Sequence, residues 1–238
     1  MKKIFLCGAL LLLACVSASW AQPAEPRAYP TEPFDAIEIS GSADVRFTQG
    51  PTDQVLVRGG GDASGEKVFE VRDRKLRIDS SGAWRFWDTG KTRIEVQARD
   101  LKRVTISGAG DFLAPTAVRA ERLTVVISGA GSARFDQLNA EALNFQIAGA
   151  GDGQVSGSAK ELILRISGHG EFRGENLRAE RGDVSVSGVG DARIWAVQDL
   201  RISVAGAAKI DYWGAPAVKR SVSGAARITE RGSKPEGR

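Results

Sequence analysis

From residue 101 to residue 230, apolar residues alternate with polar ones in short blocks, and the blocks return with a period close to twenty. The repeat is marked by Ser107, Ser128, Ala148, Ser167, Ser187, Ala205 and Ser223, so the steps are 21, 20, 19, 20, 18 and 18. One place before each mark stand Ile106, Ile127, Ile147, Ile166, Val186, Val204 and Val222. Three places before stand Val104, Val125, Phe145, Leu164, Val184 and Ile202. A period of two with one apolar face is a β-strand. Strands that recur at a fixed period of about twenty predict a solenoid, in which each coil buries its apolar face against the next. Just after each mark comes Gly-x-Gly, becoming Gly-x-Ala in the last two copies, which predicts a tight corner.

Beyond the corner, at five and seven places after the mark, stand Phe112/Ala114, Ala133/Phe135, Gly153/Val155, Phe172/Gly174, Ala192/Ile194 and Ile210/Tyr212. The first five pairs each join a large residue to a small one, as a narrow interior of constant filled volume requires. The expected fold is therefore all-β, a parallel β-helix-like solenoid, and the handedness of parallel crossovers makes it right-handed. An early copy of the repeat spans Ile37 to Val45. Between it and residue 100, Gln54–Arg58, Lys67–Arg72, Lys75–Asp79 and Thr92–Gln97 alternate with the strand period. They predict antiparallel strands capping one end. Arg220 and Glu230 put charge at inward positions of the last coil, which discourages pairing with another chain.

Composition changes this picture little. The 238 residues are 42% hydrophobic, enough for a sizeable core. Lys and Arg number 33 against 29 Asp and Glu; without Lys2 and Lys3 the balance is 31 to 29, a net +2. Mixed charges with no basic run give no support for a nucleic-acid partner. The N-terminus changes the picture more. Lys2-Lys3 followed by the apolar run Ile4 to Val16 reads as an export signal ending at Ala21. It is too short to span a bilayer, which takes ~20 apolar residues. Cleavage there removes Cys7 and Cys15. A rival reading makes Leu12-Leu13-Ala14-Cys15 a lipobox and Cys15 a lipid-anchored N-terminus, although Leu13 fits it poorly. Either way the expected location is periplasm, cell surface or outer membrane.

Candidate chemistry is sparse. Asp44, Asp111, Asp152, Glu171 and Asp191 share one repeat position, where Ca²⁺ would answer their mutual repulsion. The preferred reading is that each carboxylate caps its own turn, so no metal is expected. His169, the single histidine, has no nucleophile or acid placed to complete a triad and reads as an outward corner residue. The Gly-x-Gly turns open no helix and are not phosphate loops. No catalytic residue and no cofactor is assigned. The contact candidates are aromatic. Trp84 and Trp87 lie in a Gly-flanked loop, either packed over the end of the rod or exposed. Trp195 and Trp213 both fall eight places after their marks, on the outward parity of consecutive coils. They predict an aromatic platform for a sugar face or a protein anchor, unless the C-terminal tail or a second subunit covers them.

The segment Phe34-Asp35-Ala36-Ile37, the early Ser-Gly-Ser-Ala-Asp copy and the later Ser-Gly-Ala-Gly-Asp copies together resemble the putative auto-transporter adhesin head GIN domain family. The resemblance covers about residues 34 to 228, with Lys209 and Arg227 departing from the acidic position. It implies an exported, all-β bacterial envelope protein with stacked parallel coils and no established catalytic residues. The expected organisation is a signal peptide over 1–21, a flexible leader over 22–33, the domain over 34–230 and a polar tail over 231–238. Within the domain, capping strands occupy 34–100 and coils 101–230. The expected function is a non-enzymatic, adhesin-like module that contacts a glycan or an envelope or host protein through a solenoid face. A carbohydrate-active enzyme and a structural spacer are the alternatives, but coils that differ by at most three residues leave little loop from which to build a catalytic cleft.

Overall fold

A computed structural model of the chain describes residues 27–58, 69–79 and 93–234. The expectations for the export segment, Cys15, Trp84 and Trp87 lie outside these residues. All described elements are strands: β1 (Arg27–Pro30), β2 (Ala36–Ser40), β3 (Asp44–Gln49), β4 (Gln54–Arg58), β5 (Phe69–Arg72), β6 (Lys75–Asp79), β7 (Arg93–Ala98) and β8 (Arg103–Ile106). Five long strands follow, β9 (Asp111–Ile127), β10 (Ser132–Ile147), β11 (Asp152–Ile166), β12 (His169–Val186) and β13 (Val189–Val204). The chain closes with β14 (Ala207–Trp213), β15 (Ala217–Val222) and β16 (Ala225–Glu230). Among β8 to β16 every pairing is parallel and offset by one repeat, with Ile106 opposite Ile127, Ile127 opposite Ile147 and Ile147 opposite Ile166. The result is a β-solenoid of about six turns.

The corners show why glycine is required. The N–H between the two glycines donates to the first glycine's carbonyl in the preceding coil: Ala130 to Gly108, Ala150 to Gly129 and His169 to Gly149, at 2.9–3.0 Å. That carbonyl lies where a side chain would have to start. A Cβ added at Gly129, Gly149, Gly168, Gly188 or Gly206 would stand 1.9–2.1 Å from it. The requirement is close approach of backbones, since none of these glycines has a left-handed φ. At the second glycine an added Cβ would stand 2.7 Å from its neighbour at Gly110; the crowding is tightest at Gly131, and from there it relaxes along the rod. The nearest atom to an added Cβ recedes from 2.2 Å at Gly131, through 2.5 Å at Gly151 and 2.7 Å at Gly170, to 3.0 Å at Gly190. The next coil carries Ala208 there, and the last carries Ala226.

Inside, the large and small residues fit as their alternation predicts. Phe112, Ala114, Ala133, Phe135, Val155, Phe172, Ala192, Ile194, Ile210 and Tyr212 are all buried. Phe47, Phe112 and Phe135 stack along the rod with ring centroids 5.9 and 5.3 Å apart, and Phe145 meets Phe172 edge-on at 5.0 Å. The small positions are filled by these rings: a Cβ at Gly153 would strike Phe145, and one at Gly174 would strike Phe172. A second ladder, of alanines, runs through Ala120, Ala140, Ala159, Ala179 and Ala196 in register. The sequence pattern did not single it out.

The first end departs from expectation. β4 and β5 do run antiparallel, against β7 and β6. β6 and β7 take those antiparallel partners on one edge, as expected, and on the other edge run parallel to β2 and β3, which adds them to the stacked layers. The coils therefore begin well before residue 101, and they stack out of sequence order. β2 lies between β6 and β8, and β3 between β7 and β9. Two side chains clasp this arrangement. Asp35 accepts from Arg74 on one side at 3.0 Å and from Lys102 on the other at 2.9 Å. Gln49 donates to the Arg99 and Arg119 carbonyls and accepts from the Arg119 N–H at 2.7 Å. Residues 27–30, inside the expected leader, form β1, which pairs antiparallel with β4.

At the other end the two inward charges turn back onto the core. The Tyr212 hydroxyl donates to Glu230 Oε2 at 3.0 Å and accepts from Arg220 Nη2 at 3.0 Å, and the Arg220 guanidinium lies over the Tyr212 ring. The expected tail is tied down as well. Arg231 pairs with the buried Asp211 at 3.0 Å, and its N–H donates to the Tyr212 carbonyl.

Two outcomes check this packing by thermal melts. Phe135→Ala is expected to lose about 3–5 kcal/mol through the cavity it leaves, and Ala133→Phe to destabilise by overfilling the same coil. Gly188→Ala, whose Cβ would stand 2.1 Å from the Gly168 carbonyl oxygen, is expected to cost far more than Gly190→Ala, whose Cβ would be tight at 3.0 Å from the Gly170 carbonyl oxygen and the Ile166 methyl but needs only a small shift to fit. Equal melting points for the two glycine variants would contradict the corner geometry.

Candidate functional site

Three outward columns run along the coil just past the corners, and the parallel register stacks each of them. The first contains the acids. Asp44 stands opposite Asp111, Asp111 opposite Ser132, Ser132 opposite Asp152, Asp152 opposite Glu171 and Glu171 opposite Asp191, after which come Lys209 and Arg227. At a spacing of ~4.8 Å such carboxylates repel, so they need partners. The second column supplies cations: Arg134, Arg173 and Arg193. Arg173 binds both oxygens of Glu171, at 2.9 and 2.6 Å, and Arg193 approaches from the next coil at 3.4 Å. The Ser132 hydroxyl donates to Asp111 at 2.7 Å. The Arg173 hydrogen bonds, working against partial burial, hold the Glu171 carboxyl below the ordinary carboxylate range. Among the described residues, no group of three or more His, Cys, Asp or Glu could hold a metal ion. His169 is exposed at its corner.

The third column carries the tryptophans. Trp195 and Trp213 stand in register on β13 and β14, both half-buried on the outer side of the coil wall. What surrounds them follows from the repeat lengths. Where the step shortens from 20 to 18, the ladder between β12 and β13 jumps from Gly174–Ile194 to Arg178–Trp195. Glu175, Asn176 and Leu177 thus have no counterparts in the next coil; Leu177 turns into the core, while Glu175 and Asn176 stay on the outer side as a polar ledge beside the two indoles. Beyond Trp213, Gly214 adopts a φ of +100° and its N–H donates to the Gly232 carbonyl. This draws the chain after β16 across the outer face.

Lys234 completes the site. Its ammonium lies 5.7 Å from the Trp195 ring centroid and 5.1 Å from that of Trp213. The same ammonium donates to the Glu175 carbonyl and to Asn176 Oδ1. Both alternatives weighed for the tryptophan pair meet here, since the pair faces outward and one tail residue reaches over it. Periodicity named the indoles but missed Glu175, Asn176 and Lys234. The shortened repeat was the available signal for the ledge. Trp84 and Trp87 lie outside the described residues.

A family model described as "Putative auto-transporter adhesin, head GIN domain" matches residues 33–216. No curated protein matches the sequence. Among solved structures, a putative adhesin from Bacteroides fragilis is 25% identical with a TM-score of 0.76, over 88% of this chain and 98% of that one. A putative adhesin from Parabacteroides merdae is 18% identical with a TM-score of 0.69, over 86% and 95% of the two chains. A protein from Parabacteroides distasonis, named a putative lipid binding protein, is 19% identical with a TM-score of 0.68, over 87% and 96%.

The Glu171 cluster gives a pH dependence of known sign. A carboxyl with a depressed folded-state pKa contributes stability above its unfolded pKa and loses it as the pH falls through the folded value. Glu171→Gln is therefore expected to melt lower than the parent at neutral pH and to converge with it as the pH falls below the ordinary carboxylate range and through the depressed folded-state pKa. Melting curves of both proteins across that range check this, and a gap that persisted in acid would contradict the charge pairing.

Proposed function

The chain belongs to the family described as putative auto-transporter adhesin, head GIN domain, and on that footing we propose that it is a non-catalytic envelope module that binds a glycan or a protein through the Trp195–Trp213 face. One observation carries the reading: consecutive short coils bring two indoles into register beneath a polar ledge, on the outside of an otherwise charged wall. Tryptophan offers large apolar area with little rotamer entropy to lose, which favours it at contact surfaces. The interior is filled by packed rings, so a ligand of this domain would lie on its outer face. The coils turn through short corners and differ little in length, an architecture that presents a flat wall rather than a catalytic cleft.

The proposed location is the envelope, reached through the export segment and retained there either by lipidation of Cys15 or by partner binding alone. The test is the Trp195→Ala/Trp213→Ala double variant, assayed for binding to host cells and to envelope glycans. The expected result is a folded protein that has lost binding. A variant that folds and binds as the parent does would remove this face from consideration.

A further inference from the structure

The Lys234 contacts define the chemistry that the tryptophan face accepts. An ammonium carries three N–H donors and no acceptor, so it is satisfied where several oxygens and π-faces converge. Here the Glu175 carbonyl and Asn176 Oδ1 take two donors, and the two indole faces lie below. The carboxylate of Glu175 adds negative field: its Oε1 is 3.8 Å from Arg193, while its Oε2 is buried and accepts no hydrogen bond among the described residues. The oxygens come from the ledge left by the shortened coil and the rings from the coils below it, so the coil wall itself builds the site. Lys234 is the occupant. Its own segment is anchored independently, by the Arg231–Asp211 pair and the Gly214–Gly232 hydrogen bond.

Resting on the reading of this face as the contact surface, we infer that it is a recognition site for a primary ammonium, built to take a lysine side chain of a partner polypeptide, and that Lys234 fills it in cis until a partner's lysine displaces it. A polypeptide lysine is favoured over an amino sugar because the occupant in place is itself a lysine side chain, carried on the segment that follows β16. An intramolecular occupant competes at an effective concentration of roughly millimolar order, so its removal raises the apparent affinity for the external ligand.

The full-length Lys234→Ala protein and the parent are titrated with Nα-acetyl-lysine N-methylamide, with its norleucine analogue, and with glucosamine. Binding is read from the indole N–H resonances of Trp195 and Trp213, assigned through Trp→Phe variants. The expected result is saturable shifts with the lysine probe in Lys234→Ala, at least about tenfold weaker binding in the parent, and no response to norleucine. Equal response to norleucine would overturn ammonium recognition, and glucosamine binding without lysine binding would overturn the polypeptide source. Equal affinity in the parent and Lys234→Ala would overturn occupation in cis. If the lysine probe fails while the double tryptophan variant still abolishes binding to cells, this inference falls and the contact surface stands. If the double variant binds normally, the surface itself falls.

Discussion

The structure depends on one hydrogen bond repeated at every corner. An N–H between two glycines reaches the first glycine's carbonyl one coil below, at 2.8–3.0 Å. That carbonyl occupies the space in which a Cβ would begin, so the first glycine persists in all seven copies of the repeat while its neighbour gives way to alanine once the crowding eases. Fixing the spacing at the corner fixes it along the whole coil. The isoleucine ladder, the ring stack and the alanine ladder each inherit a constant pitch, and each can pack like upon like. The charged columns inherit it too, which is why acids placed at a constant repeat position need the arginines two residues further on.

Pitch is held constant, but circumference is not. The drop from 20 residues to 18 is the net of two register shifts: three residues after Gly174 have no counterpart in the next coil, and one extra residue enters that coil between Ala196 and Asp199. A regular solenoid presents a uniform wall. This loss of register makes a step in it, with backbone and amide oxygens above and indole rings below. The site thus arises where the repeat is broken, and it recruits the tail because the extended segment after β16 runs past it.

Polar side chains hold both ends of the rod, clasping an inserted coil near the first and covering the last layer at the other. Asp35 and Gln49, on the coil threaded between two others, each bind the coil above and the coil below. Partial burial disfavours the charged form of Asp35, but the bonds from Lys102 and Arg74 outweigh it and hold the carboxyl below its ordinary range. At the far end Arg220, Tyr212 and Glu230 form one hydrogen-bonded lid over the last filled layer. A solenoid buries its core by stacking, so its last layers need a cover of another kind.

The sequence by itself determined everything that depends on parity and period. Ile106 and its successors, the compensating pairs from Phe112/Ala114 to Ala192/Ile194, and the outward placement of His169, Trp195 and Trp213 all follow from counting, because a β-strand alternates its faces and a solenoid repeats them. The strand content of residues 54–97 was legible in the same way. Their antiparallel pairing was expected from it too, as β5 against β6 shows; only the tertiary structure decided what lies on the other edges of β6 and β7. Alternation states that one face is buried, not against what, so the parallel layer of β6 and β7 beneath β2 and β3 could not be read from it. The same holds for Lys234 over the indoles and for the oxygens of Glu175 and Asn176. These residues are brought together across coils by the pitch of the rod and the path of the tail; the shortened repeat marks where the ledge falls, but no local periodicity says which side chain reaches it.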